Sequence, residues 1–238
     1  MLTDDLISYW KLDESSGDAA DAHGSNTLTN TNTVPYGTGK INNGAQFASS
    51  STKYLSITDE EQTGLDITGN LSVSFWVNWS TVPTSNETLT RLFTKSSHLG
   101  DQRQYYGDIY RTGGVTYLRL ILGNGVDTSA SQVTWSPSTS TWYHISMTYE
   151  ASTKYVKFYV NGSQEGTTQT NGYSSIYNGS SPFYLCSYLG NTNIGDGTID
   201  EFGIWSRVLS TDEITQLYNG GPGLEYPFTS TSNFLLFF

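Results

Sequence analysis

Two adjacent acidic residues, Asp200 and Glu201, stand near the start of the stretch TIDEFGIWSRVLSTDEITQLYNGG, residues 198–221. Two carboxyl groups can serve as the acid and base that cleave a glycosidic bond when they line one cleft about 5–9.5 Å apart. Neighbouring residues of a regular strand, however, point to opposite faces. We therefore expect Asp200 to share a face with Phe202 and Ile204 at the core edge, and Glu201 to face outward. This geometry argues against hydrolysis by the pair.

Other residue types that could carry chemistry are few. The single cysteine, Cys186, lies in the apolar stretch SPFYLCSYLG, so we expect a packed thiol rather than a nucleophile, and no internal disulfide can form. His144 lies in the strand-like stretch WYHIS and is expected to be a hydrogen-bonded structural imidazole. The sequence shows no Cys/His cluster with zinc spacing and no nucleophile elbow.

The elements that must position these residues are predicted to be strands. In LSVSFWVNW, residues 71–79, apolar and polar residues alternate with a period of two, and WYHISMTYE at 142–150 repeats the pattern. Asn161-Gly162 predicts a tight hairpin, because both residues tolerate positive φ. Further strands are predicted near 6–12, 44–48, 53–58, 90–95, 104–111, 115–122, 182–186 and 198–205. These patterns predict an all-β fold, a two-sheet antiparallel jelly-roll sandwich.

One helix and one tail complete the predicted chain. LSTDEITQLYNGG offers Ser210 as N-cap with Glu213 three residues on, which is a capping box, and Gly220 as a left-handed stop. The sandwich is predicted to span residues 1–225, followed by an apolar tail at 226–238. The tail ends in Phe234, Leu235, Leu236, Phe237 and Phe238. It either packs on its own sandwich or docks on an assembly partner.

Charge and composition exclude several classes of partner. The net charge is −11 with 11 Lys and Arg among 238 residues, which provides no basic patch for nucleic acid or an anionic membrane. No apolar run is long enough to span a membrane. The N-terminus MLTDDLISYW lacks the pattern of a signal peptide. Aromatic residues make up 14% of the chain, as expected for strands.

Several stretches, in order, resemble the laminin-G-like, concanavalin-A-like jelly-roll domains: YWKLDESSGDAADAHGSN, GKINNGAQF, LSVSFWVNW, WYHISMTYE, YVNG and IDEFGIWSRVLSTDEITQLYNGG. The resemblance covers roughly residues 6–221 and implies the same sandwich fold. It leaves function open, because this fold serves lectins, adhesion modules and glycan-cleaving enzymes. The β-glucanases of this fold carry the string E-x-D-x-x-E, which this sequence lacks. LYNGGPGLEYPF also resembles domain ends in bacterial and bacteriophage proteins.

Calcium is the cofactor that the resemblance implies, as an ion that ties the first loop to an acid near the last strand. The first loop, LDESSGDAADAHG, is rich in carboxylates, and carboxylate and carbonyl oxygens are the ligands of Ca²⁺. The hypothesis is that Asp200 binds one Ca²⁺ together with Asp13 or Asp18. The alternative is that these acids only cap turns.

Two Tyr-rich stretches are the candidates for ligand recognition, because aromatic faces and amide or carboxylate groups bind sugars. The stretches GDQRQYYGDIYR and NGYSSIYNGSSPFY supply the candidates Arg103, Tyr105, Tyr106, Asp108, Tyr110, Tyr173, Tyr177 and Asn178. Ordinary strand propensity also explains tyrosines at these positions.

These observations favour a non-catalytic module, at an extracellular or virion surface, that binds a glycan or a glycosylated surface. The alternative is a structural or decorating protein of a phage virion or cell-surface assembly, anchored by its tail. A glycan-cleaving enzyme is the third hypothesis, which lacks a suitable pair of acids.

Overall fold

The computed structural model describes residues 1–50, 52–97, 102–188 and 195–228. Fifteen strands and one helix form within these ranges. The elements are β1 Leu6–Trp10, β2 Thr29–Thr31, β3 Tyr36–Thr38, β4 Asn43–Phe47, β5 Tyr54–Ile57, β6 Leu71–Trp79, β7 Thr88–Ser97, β8 Gln102–Thr112, β9 Val115–Gly125, β10 Thr128–Thr134, β11 Trp142–Glu150, β12 Tyr155–Val160, β13 Ser163–Thr170, β14 Phe183–Leu185, β15 Gly197–Trp205 and α1 Thr211–Tyr218.

The strands form two antiparallel sheets, which confirms the predicted sandwich. The eight-stranded sheet has the order β13-β12-β11-β6-β15-β4-β3, with β1 also paired to β15. The seven-stranded sheet has the order β10-β9-β8-β7-β14-β5-β2. All the strands predicted from alternation are present, whereas β2, β3 and β10 were not predicted. These three are short or polar, so their apolar alternation is weak.

The main core lies between the two sheets and is rich in aromatic rings. Phe202 of β15 contacts Phe75 of the same sheet, with ring centroids 5.2 Å apart. It also contacts Phe93 and Phe183 of the facing sheet, at 5.8 and 6.2 Å. Each fully buried side chain of this size contributes about 1.5–3 kcal/mol by leaving water. The predicted packed thiol is also confirmed, because Cys186 is buried and the lack of solvent raises its pKa to about 12.

A second apolar cluster covers the outer face of the eight-stranded sheet. Helix α1 begins at the predicted N-cap Ser210 with its capping box complete, and it buries Ile214 and Leu217. The first left-handed residue after it is Asn219, with φ of 51°, one position before the predicted glycine. Trp205 of β15 lies under this cover and donates its indole N–H to the Leu2 carbonyl at 2.7 Å. The middle of the eight-stranded sheet is therefore covered on both faces, whereas β13 at its edge stays mostly exposed.

The predicted tail is tied to this cover at its start. Tyr226 stacks on Tyr9 of β1 with ring centroids 5.3 Å apart, and Phe228 meets Tyr9 edge-on at 5.1 Å. The chain therefore packs on its own sandwich up to residue 228, three residues beyond the predicted boundary. The predicted assembly residues Phe234, Leu235, Leu236, Phe237 and Phe238 lie outside the described residues.

A β-bulge in β15 changes the facing of the acidic pair. The pairing of β15 with β6 shifts between Asp200 and Gly203, and Glu201 has a φ of 51°. Ile199 and Phe202 both lie in the main core, whereas Asp200 pairs with Trp76 on the covered outer face. The prediction that Asp200 shares a face with Phe202 and Ile204 was therefore wrong, because the extra residue shifts the alternation. Glu201 is also not outward in solvent, since only 3% of it is exposed.

Within the described ranges, none of the helical structure is long and apolar enough to cross a membrane.

Candidate functional site

The carboxyl group of Asp200 is closed off from solvent on the covered face. Its Oδ2 accepts the backbone N–H groups of Lys40 and Ile41 at 2.7 and 2.8 Å. Its Oδ1 is buried and has no hydrogen-bond partner in the described part of the chain. Burial raises the pKa of Asp200 to about 7, and the nearby Asp13 carboxylate adds to this rise. The group therefore exchanges between its protonated and ionised forms near pH 7.

Glu201 lies beside it in a similar environment. Neither of its carboxyl oxygens has a hydrogen-bond partner of standard geometry among the described residues, although the Tyr9 hydroxyl faces the group. Burial raises the pKa of Glu201 to about 8, and Asp200 and Asp13 reinforce the shift. The pair meets no solvent-filled groove in which a glycan would lie, since Asp200 is 0% and Glu201 3% exposed.

The acids of the first loop mostly hold the loop itself together. Asp18 Oδ1 accepts the N–H of Asn30 at 2.8 Å. Asp13 Oδ1 accepts the N–H of Asn43 at 3.2 Å, and its Oδ2 lies 2.9 Å from Lys11 Nζ. Asp18 instead lines a cleft of about 410 Å³ with Ser15, Ser16, Gly17, Asn30, Thr33, Val34, Pro35 and Lys53. Of the two alternatives for the calcium set, the structure therefore brings only Asp13 close to Asp200.

The donor chemistry of this cluster fits a hard cation in part. Asp200 and Glu201 present three buried carboxyl oxygens without hydrogen-bond partners, and such oxygens suit Ca²⁺. Across residues 1–50, 52–97, 102–188 and 195–228, however, no three His, Cys, Asp or Glu side chains converge as a ready-made metal site. Any calcium ion at this place would need backbone carbonyls or water as further ligands.

The outer face of the seven-stranded sheet is different, because tyrosine rings cover it; Tyr106 is buried, and the others are half-buried. Tyr106 and Tyr110 of β8 lie on this face. Side chains alternate along a strand, and Tyr105 and Ile109, the residues just before them, point into the core. We call the set the tyrosine face, and its rings are Tyr54, Tyr106, Tyr110, Tyr117, Tyr184 and Tyr188. Tyr54 and Tyr184 meet edge-on with centroids 5.6 Å apart.

A buried ion network holds the middle of the tyrosine face. Asp108, 0% exposed, accepts from Arg91 Nη1 at 2.8 Å and from Arg119 Nε and Nη2 at 2.6 and 2.8 Å. The Arg91 guanidinium lies 4.0 Å from the Tyr106 ring centroid, and the Arg119 guanidinium lies 3.9 Å from that of Tyr110. The two guanidinium groups therefore hold the rings of Tyr106 and Tyr110 in fixed orientations, and both groups are bonded to the Asp108 carboxylate.

Polar atoms without partners also lie along this face. Arg91 Nε and Thr94 Oγ1 are buried and make no hydrogen bond within the described residues. Thr94 is the register partner of both Tyr106 and Tyr184, so it lies between those rings. Buried polar groups are usually satisfied, and unsatisfied ones concentrate where a ligand or water completes the bonding.

The structure separates the predicted ligand-binding residues into four locations. Tyr106, Asp108 and Tyr110 come together on the tyrosine face, although Asp108 is buried under the arginines and cannot touch a ligand. Tyr105 was wrongly assigned, because it is 0% exposed and donates its hydroxyl to the Leu65 carbonyl. Arg103 is half-buried at the start of β8, opposite Gly125.

The remaining predicted residues lie on the loop before β14. Tyr173 is half-buried, and its carbonyl accepts the Tyr149 hydroxyl at 2.9 Å. Tyr177 is 39% exposed, and Asn178 beside it is exposed. Sequence reasoning missed Arg91, Arg119, Tyr54, Tyr117, Tyr184 and Tyr188. Their alternation with apolar neighbours, as in TYLRL at 116–120, could have placed some of them on a face opposite the core.

Comparison with known proteins places this geometry among known folds. Among solved structures, the binding domain of Paraclostridial Mosquitocidal Protein 1 has a TM-score of 0.70 at 16% identity, covering 92% of this chain and 53% of that one. The botulinum neurotoxin serotype D binding domain has a TM-score of 0.69 at 18% identity, covering 92% and 52%. The chain thus spans about half the length of these toxin domains.

A third solved structure matches over nearly its whole length. It is domain 4 of AbnA, a GH43 extracellular arabinanase from Geobacillus stearothermophilus, in complex with arabinotriose. It has a TM-score of 0.61 at 19% identity, covering 88% of this chain and 96% of that one. No curated protein sequence matches the chain. A family model described as "Concanavalin A-like lectin/glucanases superfamily" matches residues 49–215. This match over more than half of the chain, together with the two antiparallel sheets, shows that the chain belongs to the concanavalin A-like lectin/glucanase superfamily.

Proposed function

We propose that this chain is a non-catalytic carbohydrate-binding module and that the tyrosine face is its binding surface. The observation that carries the proposal is the ion network under the rings. Arg91 and Arg119 hold the rings of Tyr106 and Tyr110 at 4.0 and 3.9 Å while Asp108 fixes both guanidiniums from below. Rings fixed before a ligand arrives lose little conformational entropy when the ligand binds.

The chemistry of the tyrosine face suits a sugar better than a charged or purely apolar ligand. Flat rings pack against the C–H faces of a sugar, and hydroxyls and guanidinium N–H groups bond its oxygens. Thr94 Oγ1 and Arg91 Nε are polar atoms along this face that have no partner in the described part of the chain. Both atoms are buried, so a sugar oxygen can bond them only through a shift of the neighbouring rings.

The structural neighbours support this class of ligand without identifying it. The AbnA domain was solved with arabinotriose. A botulinum neurotoxin serotype D ligand binding domain was solved in complex with N-acetylneuraminic acid, and it has a TM-score of 0.66 at 17% identity. Both carry the sandwich fold of this chain. The proposal includes a location at an extracellular or virion surface, and the extracellular arabinanase among the neighbours supports the first of these.

The absence of turnover is proposed from the state of the acids. Asp200 and Glu201 face the covered side of the eight-stranded sheet, away from the tyrosine face, and neither meets solvent. A carboxyl group must reach the glycosidic oxygen or a water molecule to act in hydrolysis. We expect no cleavage of a polysaccharide that binds.

The test is calorimetric titration with arabinotriose, xylotriose, cellotriose and N-acetylneuraminic acid. We expect binding of at least one sugar by the wild type, and a loss of roughly tenfold or more in affinity for Tyr110→Ala and Tyr184→Ala. Tyr155→Ala is the matched control, because Tyr155 is a 46% exposed tyrosine on the other sheet. Wild type that binds none of these sugars, or weakening that is equal in the control, would contradict the proposal.

Calcium binding at the acidic pair is a further part of the proposal. Three buried carboxyl oxygens of Asp200 and Glu201 without partners support it, with Asp13 as the nearby third acid. The role of the ion would be to neutralise buried carboxylates and tie β15 to the first loop.

A further inference from the structure

A second exposed aromatic ring stands apart from the tyrosine face. Among the described residues, four large apolar side chains are exposed: Met1, Val126, Tyr155 and Tyr177. Two of these come together at the turn between β9 and β10, because the Tyr177 ring lies against Gly125, the residue before Val126. Val126 is 55% and Tyr177 39% exposed.

Two glycines, Gly125 and Gly179, lie in close contact with the Tyr177 ring. A Cβ on Gly125 would sit 3.2–3.3 Å from the ring atoms Cδ2, Cε2 and Cγ. A Cβ on Gly179 would sit 3.0 and 3.2 Å from Cε1 and Cδ1, on the other edge of the ring. Gly125 also has a φ of +99°, which side-chain-bearing residues rarely adopt. The absence of both side chains lets the ring lie close to the backbone.

The loop that carries Tyr177 is fixed by bonds on both sides of the ring. The Tyr177 N–H donates to the Gly123 carbonyl and the Ile176 N–H to the Thr68 carbonyl, both at 2.9 Å. After the ring, Gln104 donates to the Gly179 carbonyl at 3.1 Å. The position of the ring is therefore set before any ligand arrives.

A buried lysine anchors the far end of this loop. Lys95, 0% exposed, donates to the Ser181 carbonyl at 2.8 Å. Its ammonium is also paired with Asp59 at 2.6 Å and Asp66 at 2.9 Å. All three N–H donors of the Lys95 ammonium have partners. Lys95 therefore holds this end of the loop firmly and has no donor left for a ligand.

The groups around the ring are polar and exposed. Asn178 follows Tyr177 in the loop, and Asp127 follows Val126 in the turn. Neither side chain makes a hydrogen bond within the described part of the chain, so both can bond a ligand. The Asp127 carboxylate would repel an anionic sugar and accept hydroxyl groups of a neutral one.

We propose that Tyr177, with Asn178 and Asp127, forms a second subsite that binds one ring of a neutral sugar. This rests on the proposed function, because it assumes that the module binds carbohydrate. A tyrosine whose backbone is held in place and which is 39% exposed offers ring surface on which a sugar can stack without loop ordering. The subsite is separate from the tyrosine face and binds its own equivalent of ligand.

The experiment is calorimetric titration of the full chain with the neutral trisaccharides arabinotriose, xylotriose and cellotriose. For the trisaccharide that binds, we expect two equivalents with the wild type. Tyr177→Ala should lose one of them, and Tyr177→Phe should keep both because the flat ring remains. Tyr155→Ala is the matched control and should also keep both. If Tyr177→Ala lowers the melting temperature, Tyr177→Leu retains bulk without a flat face and should lose the same equivalent.

The outcomes separate this subsite from the proposed function. An isotherm that is unchanged in Tyr177→Ala and Tyr177→Leu, while Tyr110→Ala loses binding, overturns the subsite alone. One equivalent that weakens in both Tyr177→Ala and Tyr110→Ala overturns the separation of two sites. A wild type that binds N-acetylneuraminic acid only overturns the neutral-sugar subsite and leaves the proposed function standing. No binding of any sugar overturns both.

Discussion

Two buried aspartates, one beneath each outer sheet face, have opposite surroundings. Asp108 accepts three hydrogen bonds from two guanidinium groups at 2.6–2.8 Å. Asp200 accepts only backbone N–H groups on one oxygen, and its pKa rises to about 7 because of burial. Both are 0% exposed, so the two acids differ in their partners and not in their depth. Only Asp108, which two guanidinium groups pair, lies beside rings that reach solvent.

The two outer sheet faces that carry these aspartates also differ in what covers them. The outer face that carries Asp200 is covered by α1 and by Leu224, Tyr226 and Phe228. The outer face that carries Asp108 has tyrosine rings, most of them half-buried, and no helix among the described residues. Covered polar groups hold the fold together, whereas aromatic rings that reach solvent are available for a ligand.

The largest effect is expected from removing the charge of Asp108. Asp108→Asn leaves Arg91 and Arg119 beside a neutral group, and breaking a buried ion network typically costs about 3–5 kcal/mol. Urea denaturation should show this loss in the free energy of unfolding. Asp127→Asn, at an exposed aspartate, should leave the midpoint unchanged. Equal midpoints for wild type and Asp108→Asn would show that the network is not what holds the tyrosine face.

Calcium is expected to stabilise the fold through the covered face that carries Asp200 and Glu201. If the ion binds near Asp200 and Glu201, a concentration of 100 times its Kd stabilises the fold by about 2.7 kcal/mol. Thermal melts in calcium and in EDTA measure this, and Glu201→Gln should remove the difference. Magnesium is the control ion, because it fits an irregular oxygen site poorly. Identical melts of the wild type in calcium and EDTA would refute the calcium proposal.

A pH effect of intermediate size is expected from His144, which lies beneath α1. Burial lowers the pKa of His144 to about 3, while its Nε2 lies 2.9 Å from Ser74 Oγ. Below about pH 6.5 the unfolded chain binds a proton that the folded chain does not, so stability falls as pH falls toward 3. Between pH 6.5 and 5 this amounts to about 2 kcal/mol.

The comparison of His144→Gln with wild type isolates this contribution. Glutamine does not titrate, so the variant should lack the part of the pH dependence that His144 causes. Denaturant unfolding at pH 6.5, 5.5 and 5 measures it as a difference between the two slopes. Parallel slopes would mean that the imidazole is protonated in the fold and that the face is less closed than described.

The smallest effect is expected at the helix that closes the covered face. Ser210→Ala removes the side chain that accepts the Glu213 N–H, and the loss of an N-cap typically costs about 1 kcal/mol. Ser210→Asp keeps an acceptor and should retain most of the stability. Sugar binding should be unchanged in both, because α1 lies on the opposite sheet. Weaker sugar binding in Ser210→Ala would mean that the two faces are coupled.

The sequence predicted the parts of the fold that local patterns determine. Alternation located β6 and β11 with their core-facing residues, and the capping box located the start of α1 at Ser210. It also indicated Asn161 and Gly162 as a turn, and both have positive φ. These features depend on a few neighbouring residues, so one sequence suffices to find them.

The site was less predictable because it depends on strand register. Asp108 looked like a ligand group, but its two arginine partners come from β7 and β9, and only the pairing brings them together. The bulge at Glu201 has no sequence signal, since the residue in the left-handed region is a glutamate rather than a glycine. The acids of the first loop resembled a calcium loop, yet Asp18 bonds to the backbone of Asn30.

The bulge at Glu201 also sets a rule for insertions and deletions in β15. The extra residue lets Asp200 and Glu201 stand between the core residues Ile199 and Phe202. A chain that lacked Glu201 would pass through this point in plain alternation, with Ile199, Phe202 and Ile204 still facing the interior. A residue gained or lost elsewhere in the strand would instead turn one half of it over. Homologous chains that keep this packing should therefore vary the length of β15 only at the bulge.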